Sequence, residues 1–411
     1  MKIMDYDRST PNRSDMAVYC LMLSIMVYVG RIHELIPGTG NLNVAKLAIG
    51  LTLLAFFAMP KTGKSGLLSN APVKYILGIV LFIMLSIPFS VYASYSVKFF
   101  TQTYIKNLVF FFLAAAIVSS RDDLDKVELS IVLSVLALSL VTLLSNSEGR
   151  ASASTTYDPN DMAFVLVTFL PLVYFRAAKA SGPAKLILAG VIIIVLLACI
   201  KTVSRGGLVG LVIVGGIIIR KRGGGIGMSL MPVVVAAILF FAFAPQEYWD
   251  RMSTIMRPNA DYNVTASAGR IEVWKRGLKM MATHPLGVGI GCFEIAEGRM
   301  HEGWGKWSSP HNSFIQIGAE LGVGGLYMFV MLLVASLKII KECREIDSGG
   351  ALPKWLPDGL ETSFYGYIAT GFFLSQAYSA LLFLLVAMAI SARKIVDPKP
   401  DDTQVFFVNE V

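Results

Sequence analysis

The sequence predicts an all-α polytopic membrane protein with one large loop. Of its 411 residues, 55% are hydrophobic and only 16% are charged, and the mean hydropathy is +0.63. Soluble globular domains carry about 25% charged residues, whereas here apolar segments recur along nearly the whole chain. Two polar stretches interrupt them, a long one over 246–310 and a short one over 341–361. This pattern is typical of a chain of membrane helices.

Apolar segments long enough to cross a bilayer define the predicted helices. A spanning helix needs about 20 predominantly apolar residues. The final run, 363–391, is too long for one untilted helix and has Ser375 and Gln376 near its middle, so we divide it into two helices. With that division the chain has about twelve spans. The others lie near 16–30, 44–59, 75–93, 104–119, 127–145, 162–176, 186–201, 207–219, 229–245 and 312–337.

The basic residues of the short loops fall into two unequal sets, which predicts the orientation. The richer set is Lys61, Lys64, Lys74, Arg121, Lys126, Arg176, Lys179, Lys185, Arg220, Lys221, Arg222, Lys338, Lys341, Arg344 and Lys354. The poorer set is Arg31, Lys46, Lys98, Lys106, Arg150, Lys201 and Arg205. Cytoplasmic loops carry an excess of Lys and Arg. We therefore expect the richer set and both termini in the cytoplasm.

The same orientation divides the chain into four regions. We expect membrane helices over 1–245, a large extracytoplasmic loop with amphipathic helices over 246–310, further membrane helices over 311–396 and a cytoplasmic tail over 397–411. In a cell with two membranes the loop would be periplasmic, and the chain would lie in the inner membrane.

The placement of charge excludes several functions. The net charge of +8 is spread over short loops, which does not indicate nucleic acid as a partner. The spans contain one clear acid, Glu320, whereas ion-coupled carriers need ionisable groups near the midplane. Cys20, Cys199, Cys292 and Cys343 show no metal or redox spacing. The chain also has no Walker A loop and no GxGxxG motif.

Three cationic residues are predicted at helix N-termini on the extracytoplasmic side. Arg205 lies in the first turn of a span, where Gly206 and Gly207 would leave the backbone bare. Arg270 is expected near position N3 of a loop helix capped by Ser267, and His311 in the first turn of a later span. A helix N-terminus attracts anions, and arginines bind phosphate in a bidentate manner. The pattern predicts an anion site, most simply for a phosphate or diphosphate.

Each of these residues also has a simpler interpretation. Arg205 could be an interfacial arginine whose guanidinium reaches the membrane surface. Arg270 could be one of several charges on a solvated helix, and His311 a polar residue that ends a loop. The shared face favours the functional interpretation.

Further polar residues are candidate supports for such a site. Asn312 follows His311, and Ser313, Gln316 and Glu320 form a polar stripe at spacing i, i+3, i+7. Glu320 could equally be a buried structural acid bonded to a neighbouring element. Asp158 and Asp161 could bind sugar hydroxyls or serve as turn and cap residues around Pro159. Trp304 and Trp307 could stack on sugar rings or lie in the aromatic belt at the interface.

Three stretches resemble the superfamily of O-antigen ligases and Wzy-type polymerases. They are SRGG at 204–207, GRIEVWKRGLKMMATHPLGVGIGCFE at 269–294 and HNSFIQIGAELGVGGL at 311–326. The third is the most specific of them. The predicted number of spans and the position of the large loop also agree with that superfamily.

The resemblance implies a metal-independent glycosyltransferase with a C-type membrane architecture and no cofactor. Its donor would be a glycan on undecaprenyl diphosphate, and its acceptor most simply a lipid A–core sugar. Arg205 and Arg270 would correspond to the family's diphosphate-binding arginines, and His311 to its general base. Direct attack by the acceptor hydroxyl would invert the anomeric carbon. Within the family a Wzy-type polymerase or a protein O-glycosylation ligase stays open, and outside it a transporter of bicarbonate or of a lipid-linked glycan.

Overall fold

The structure is a computed structural model that describes residues 13–35, 43–59, 67–145, 151, 156–222, 249, 269–300 and 307–398. Within those ranges every regular element is helical and no strand occurs, which confirms the all-helical prediction. The helices of the first half are α1 (Arg13–Tyr28), α2 (Ile32–Leu35), α3 (Val44–Ala58), α4 (Ala71–Ser86), α5 (Ala93–Phe99), α6 (Ile105–Ile117) and α7 (Arg121–Leu144). A π-helical turn, Phe100–Tyr104, joins α5 to α6.

The second half continues the helical chain. Its helices are α8 (Pro159–Lys179), α9 (Gly182–Lys201), α10 (Arg205–Arg222), α11 (Arg270–Thr283), α12 (Phe293–Met300), α13 (Ser313–Ile346), α14 (Leu356–Gly371) and α15 (Ala380–Val396). The run 363–391 is indeed divided, because α14 ends at Gly371 and α15 begins at Ala380.

Six helical segments of the described chain are long and apolar enough to cross a membrane. They are Ala71–Phe89, Ala93–Ile117, Arg121–Leu144, Pro159–Lys179, Gly182–Lys201 and Ser313–Ile346. Asp15–Tyr28 and Val44–Ala58 are shorter apolar helices. The protein is therefore a multi-pass membrane protein, while the total of about twelve spans stays a prediction. The predicted span 229–245 lies outside the described residues.

Ion pairs connect the ends of several helices on one side of the bundle. Arg344 Nη2, near the end of α13, lies 2.9 Å from Asp358 Oδ1 and 2.7 Å from Glu361 Oε2, both in α14. Lys221 Nζ, at the end of α10, contacts the same two carboxylates at 2.9 and 2.6 Å. We call this end of the bundle the Arg344 side.

Other predicted cytoplasmic ends join the Arg344 side. Arg176, at the end of α8, pairs with Asp125 in the first turns of α7, and the indole of Trp355 donates to the same carboxylate. Arg121 donates to the carbonyl oxygen of Gly350. Residues of the richer basic set thus lie together, as their grouping predicts. That this side faces the cytoplasm stays a prediction.

At the opposite end of the bundle, the His311 side, hydrogen bonds join several helix starts. Ser204 Oγ before α10 donates to Asn160 Oδ1 at the start of α8, 3.0 Å away. Gln376 Nε2, between α14 and α15, donates to Asp161 Oδ1 at 2.7 Å. Ser309 and Ser375 hydroxyls lie 2.9 Å apart and tie the approach to α13 to the same connection. The starts of α8, α10 and α13 therefore share this side.

Candidate functional site

Arg205 is the first residue of α10, as the sequence predicts. Ser204 caps this helix, because its Oγ accepts a hydrogen bond from the backbone N–H of Gly207 at 3.2 Å. A serine at this position satisfies one of the free N–H groups of the first turn. The SRGG motif is thus a capped helix start with a half-buried arginine at its first position.

The two glycines of that motif do not leave the backbone bare, contrary to the prediction. A Cβ placed on Gly206 would lie 2.9 Å from Phe373 Cβ, and one on Gly207 would lie 2.7 Å from Ala163 Cβ. Real Cβ atoms do not approach other carbon atoms so closely. Gly206 and Gly207 therefore let α10 pack directly against its neighbours, which explains glycine at both positions.

Arg270 also begins its helix, but one predicted detail is wrong. The N-cap of α11 is Gly269, which makes Arg270 the first helical residue rather than the third. Ser267, the predicted cap, lies outside the described residues. The half-buried Arg270 therefore lies closer to the positive end of the helix dipole than predicted.

His311 precedes its helix instead of lying in the first turn. Asn312 is the N-cap of α13, since its Oδ1 accepts from the N–H groups of Phe314 and Ile315 at 2.9 and 3.0 Å. His311 has φ of 44°, in the left-handed region that few residues other than glycine adopt. The chain turns sharply at His311, and the candidate supporting residue Asn312 holds the helix start behind it.

A hydrogen bond holds the start of α11 next to His311. The indole Nε1 of Trp274 donates to the carbonyl oxygen of Pro310 at 2.7 Å. Trp274 is four residues after Arg270, and residues at this spacing lie on the same face of a helix. The face of α11 that carries Arg270 thus adjoins the residue before His311.

An aromatic pair at the end of α14 contacts all three helix starts. Phe373 lies against Gly206 of α10. The ring centroid of Phe372 lies 5.6 Å from that of Trp274 in α11 and 6.4 Å from that of Phe314 in α13. The helix starts that carry Arg205, Arg270 and His311 therefore meet around Phe372 and Phe373.

Ser313 and Gln316 of the polar stripe hold the connection between α14 and α15. Ser313 Oγ donates to the Leu374 carbonyl at 2.7 Å and accepts from the N–H of Gln376 at 3.0 Å. Gln316 Oε1 accepts from the N–H of Ala377 at 3.2 Å. Their role is to fix this connection against the start of α13.

Glu320 is a buried acid bonded to a neighbouring element, one of its two predicted interpretations. Its Oε2 accepts from the N–H of Gly291 at 3.0 Å, and its Oε1 accepts from the N–H of Phe293 at 3.3 Å. Phe293 is the first residue of α12, so a negative charge at this point also stabilises the helix N-terminus.

A break in α13 lies directly after Glu320. Gly322 has φ of 72°, outside helical geometry. The carbonyl oxygens of Ala319 and Glu320 accept instead from the N–H groups of Val288 and Gly289, at 2.9 and 3.0 Å. A discontinuous membrane helix needs such partners, because unpaired backbone groups are costly in the bilayer.

The donors to this break form a glycine-rich loop whose role the sequence interpretation missed. Gly287, Gly289 and Gly291 have φ of 80°, 100° and 74°, all in the left-handed region. Their alternate spacing in GVGIG was the available signal, since glycine is the residue that adopts such conformations readily.

Asp158 is a cap residue and Asp161 a bridging one. Asp158 is the N-cap of α8 and accepts from the N–H groups of Asn160 and Asp161 at 2.6 and 2.8 Å. The capping interpretation is thus confirmed for Asp158. Asp161 completes a capping box and also accepts from Gln376, so it links α8 to the connection before α15.

The segment before His311 forms a hydrogen bond with one member of a buried ion pair. Arg276 Nη2 of α11 lies 2.8 Å from Glu297 Oε1 of α12, whose side chain has no exposed surface. Glu297 Oε2 also accepts from the N–H of Ser308 at 2.9 Å. Trp307 lies over Gly298 and is 53% exposed. Trp304 lies outside the described residues.

A polar cavity of about 680 Å³ opens next to these elements. Asp161, Gln316 and Glu320 line it, together with Ser309 and Pro310 directly before His311. Its lining does not include Arg205, Arg270 or His311. The cavity therefore adjoins the three helix starts without containing their cationic residues.

Glu294 adds an acid to the cavity wall outside the spans. Partial burial raises the pKa of this carboxyl, the nearby Glu297 carboxylate raises it further, and a hydrogen bond with Ser309 opposes the shift. In the part of the chain that the structure describes, no group of three or more His, Cys, Asp or Glu side chains could hold a metal ion.

Residues 189–330 match the family model described as O-Antigen ligase. These residues form an O-antigen ligase domain. The matched range runs from α9 to the middle of α13, and so contains the helix starts with Arg205, Arg270 and His311. A search of curated proteins found no match.

The arrangement in this ligase domain is suited to stabilising an anion. Two arginines at the first position of a helix combine guanidinium charge with the helix dipole. Hydrogen-bond donors held in place stabilise charge that develops during a reaction without reorganising. The histidine at a fixed turn supplies an imidazole, the side chain that most often takes a proton from a reacting hydroxyl.

Proposed function

We propose that this protein is an inverting, metal-independent glycosyltransferase that moves a glycan from undecaprenyl diphosphate to an acceptor hydroxyl. The acceptor is most simply a sugar of lipid A–core, which makes the protein an O-antigen ligase. The observation that carries the proposal is the meeting of the helix starts of Arg205, Arg270 and His311 around Phe372 and Phe373. The match of residues 189–330 to the ligase family supports it.

In this proposal Arg205 and Arg270 bind the diphosphate of the donor lipid. The acceptor hydroxyl attacks the anomeric carbon, the bond from that carbon to the diphosphate oxygen breaks, and the lipid diphosphate leaves with the electron pair. Bidentate arginine contacts and helix N-termini stabilise the negative charge on the leaving group. A single displacement inverts the anomeric centre.

His311 acts in the proposal as general base and takes the hydroxyl proton during the attack. A base of this kind contributes about 10²–10⁴-fold to the rate. The turn at His311 and the cap at Asn312 fix the position of the base before the substrate binds. Catalysis then depends on the arginines at least as much as on the histidine.

We further propose that the His311 side faces the outside of the inner membrane, where the lipid-linked donor is presented. The excess of basic residues on the Arg344 side supports this orientation. The division into membrane helices over 1–245 and 311–396, an outer loop over 246–310 and a cytoplasmic tail over 397–411 follows from it.

The test is transfer by the full chain in nanodiscs, with a lipid diphosphate-linked glycan as donor and lipid A–core as acceptor. Arg205→Ala, Arg270→Ala and His311→Ala should each lower turnover at least about 100-fold. Arg299→Ala is the matched control, because Arg299 is an exposed arginine in the last turn of α12.

Two outcomes would change the assignment. Normal ligation by all three variants would contradict the proposed enzyme. Extension of lipid-linked glycans into long chains, with no transfer to lipid A–core, would identify a polymerase. The anomeric configuration of the product checks the single displacement.

A further inference from the structure

The cavity wall carries a cationic cluster that the proposed diphosphate site does not use. Its members are Arg31 after α1, Lys46 in the first turn of α3 and Lys106 in α6. Lys46 and Arg31 lie close enough to Lys106 for their charges to repel it. Three segments distant in sequence thus bring three positive charges to one wall.

Two members of this cluster have no acidic partner. Arg31 contacts Glu34 at 3.4 Å and lies over the ring of Tyr157. Across the described chain, Lys46 and Lys106 make no ion pair or hydrogen bond with a carboxylate. Lys46 is exposed, whereas Lys106 is half-buried and belongs to the candidate span Ala93–Ile117. An unpaired cation within a span is costly and marks a binding site for an anion.

The rest of the wall is suited to a carbohydrate. Gln102, Thr103, Ser375 and Ser379 offer uncharged donors and acceptors, and Tyr95 and Phe99 offer aromatic rings. The volume of about 680 Å³ lies within the range of about 300–1,000 Å³ of small-molecule sites. The wall also carries the carboxyl groups of Asp161, Glu294 and Glu320, which already accept hydrogen bonds from Gln376, from Ser309 and from the backbone of Gly291 and Phe293. Among the described residues the ammonium groups of Lys46 and Lys106 have no such partner, so the cavity fits a sugar that carries a negative substituent.

We propose that this cavity binds the acceptor glycan and that Lys46 and Lys106 hold a phosphate or carboxylate substituent of it. This inference rests on the proposed function in one respect, the identification of the bound glycan as the acceptor. The cavity reaches Ser309 and Pro310, so a glycan bound there ends beside the proposed base, His311. The donor diphosphate belongs to Arg205 and Arg270, which lie outside the cavity wall.

The direct test is binding without turnover. Full-length protein in zwitterionic nanodiscs is titrated calorimetrically with core oligosaccharide that carries its phosphates and carboxylates. The matched probe is the same oligosaccharide after dephosphorylation and carboxyl reduction. Lys46→Gln and Lys106→Gln should each weaken binding of the anionic probe about tenfold, and the double variant more. The neutral probe should bind all variants equally weakly.

Control variants separate charge from folding. Lys98→Gln removes an exposed lysine of α5 that does not line the cavity, and should bind as the wild type does. Lys46→Arg/Lys106→Arg keeps both charges and should retain most of the affinity. Raised salt should weaken binding of the anionic probe to the wild type.

Several results would overturn the inference. One is that the double Gln variant binds the anionic oligosaccharide as tightly as the wild type does. Another is that the variant loses the same affinity for both oligosaccharides. A third is that the variant loses affinity only for a lipid diphosphate, tested as a separate probe. In the transfer assay the double variant should raise the acceptor KM and leave the donor KM and kcat unchanged. Should the wild type bind the anionic glycan without transferring any, the proposed function fails while the anion site stands.

Discussion

Trp274 donates a hydrogen bond from its indole nitrogen to the carbonyl oxygen of Pro310, 2.7 Å away. This contact joins the helix that begins with Arg270 to the residue before His311. Because one side of the contact lies on a helix and the other in a turn, it sets how far apart the two proposed functional groups lie. Its removal should therefore lower both the stability of the fold and the rate of catalysis.

Trp274→Phe keeps an aromatic ring but removes the indole N–H, which leaves the Pro310 carbonyl without this partner. We expect a loss of about 1–3 kcal/mol of stability and a fall in transfer rate of about tenfold or more, since small misplacements of reacting groups are costly. Single-turnover rates and thermal melts measure the two effects. Tyr327→Phe, at an exposed aromatic residue of α13, is the comparison, and equal transfer rates in the two variants would contradict the positioning role.

Glu320→Gln should destabilise the protein by about 1–3 kcal/mol, because an amide offers one acceptor oxygen where the carboxylate accepts two N–H groups. Hydrogen exchange of the Gly291 and Phe293 amides should accelerate in the variant. Glu345→Gln, at an exposed acid near the end of the same helix, is the control. Unaltered exchange at both amides would contradict the structural role of Glu320.

Gly322→Ala should be strongly destabilising. A Cβ there would lie within 1.9 Å of the Pro285 carbonyl oxygen, and φ of 72° disfavours any side chain. We expect a loss of about 2 kcal/mol or more in thermal unfolding. Gly190→Ala, in the middle of α9 with nothing within 4 Å, should gain about 0.5–1 kcal/mol, as alanine is the better helix former. Similar melting temperatures for both variants would contradict the break in α13.

Glu294 predicts a pH dependence of stability with a defined sign. Burial raises the pKa of its carboxyl in the folded state. A group of this kind contributes stability at pH below its unfolded pKa, and loses it as pH rises through the folded value. Glu294→Gln should therefore raise the melting temperature at neutral pH relative to wild type more than it does near pH 4.

Glu272 supplies the control of opposite sign. A hydrogen bond from Lys275 lowers the pKa of the Glu272 carboxyl. Its contribution is present above the unfolded pKa and is lost as pH falls through the folded value. Glu272→Gln should lower the melting temperature slightly at neutral pH and less in acid. The same sign for both substitutions would contradict this account.

Helix starts were predictable where the cap is local. Ser204 and Asp158 lie directly before the helices they cap, so the sequence indicates both starts. Arg270 and His311 were each placed at the correct helix but at the wrong position. The predicted cap Ser267 competes in the sequence with Gly269. The turn at His311 depends on contacts with α11 and with the connection between α14 and α15.

The sequence by itself determined that the chain is helical, that it enters a membrane repeatedly and that its basic loops group together, because these properties depend on composition and on residues a few positions apart. Only the tertiary structure decided that Glu320 binds the backbone of Gly291 and Phe293, that α13 breaks at Gly322, and that Lys46 and Lys106 face one cavity. Such contacts join residues tens of positions apart, and no local preference specifies which of many possible partners will meet.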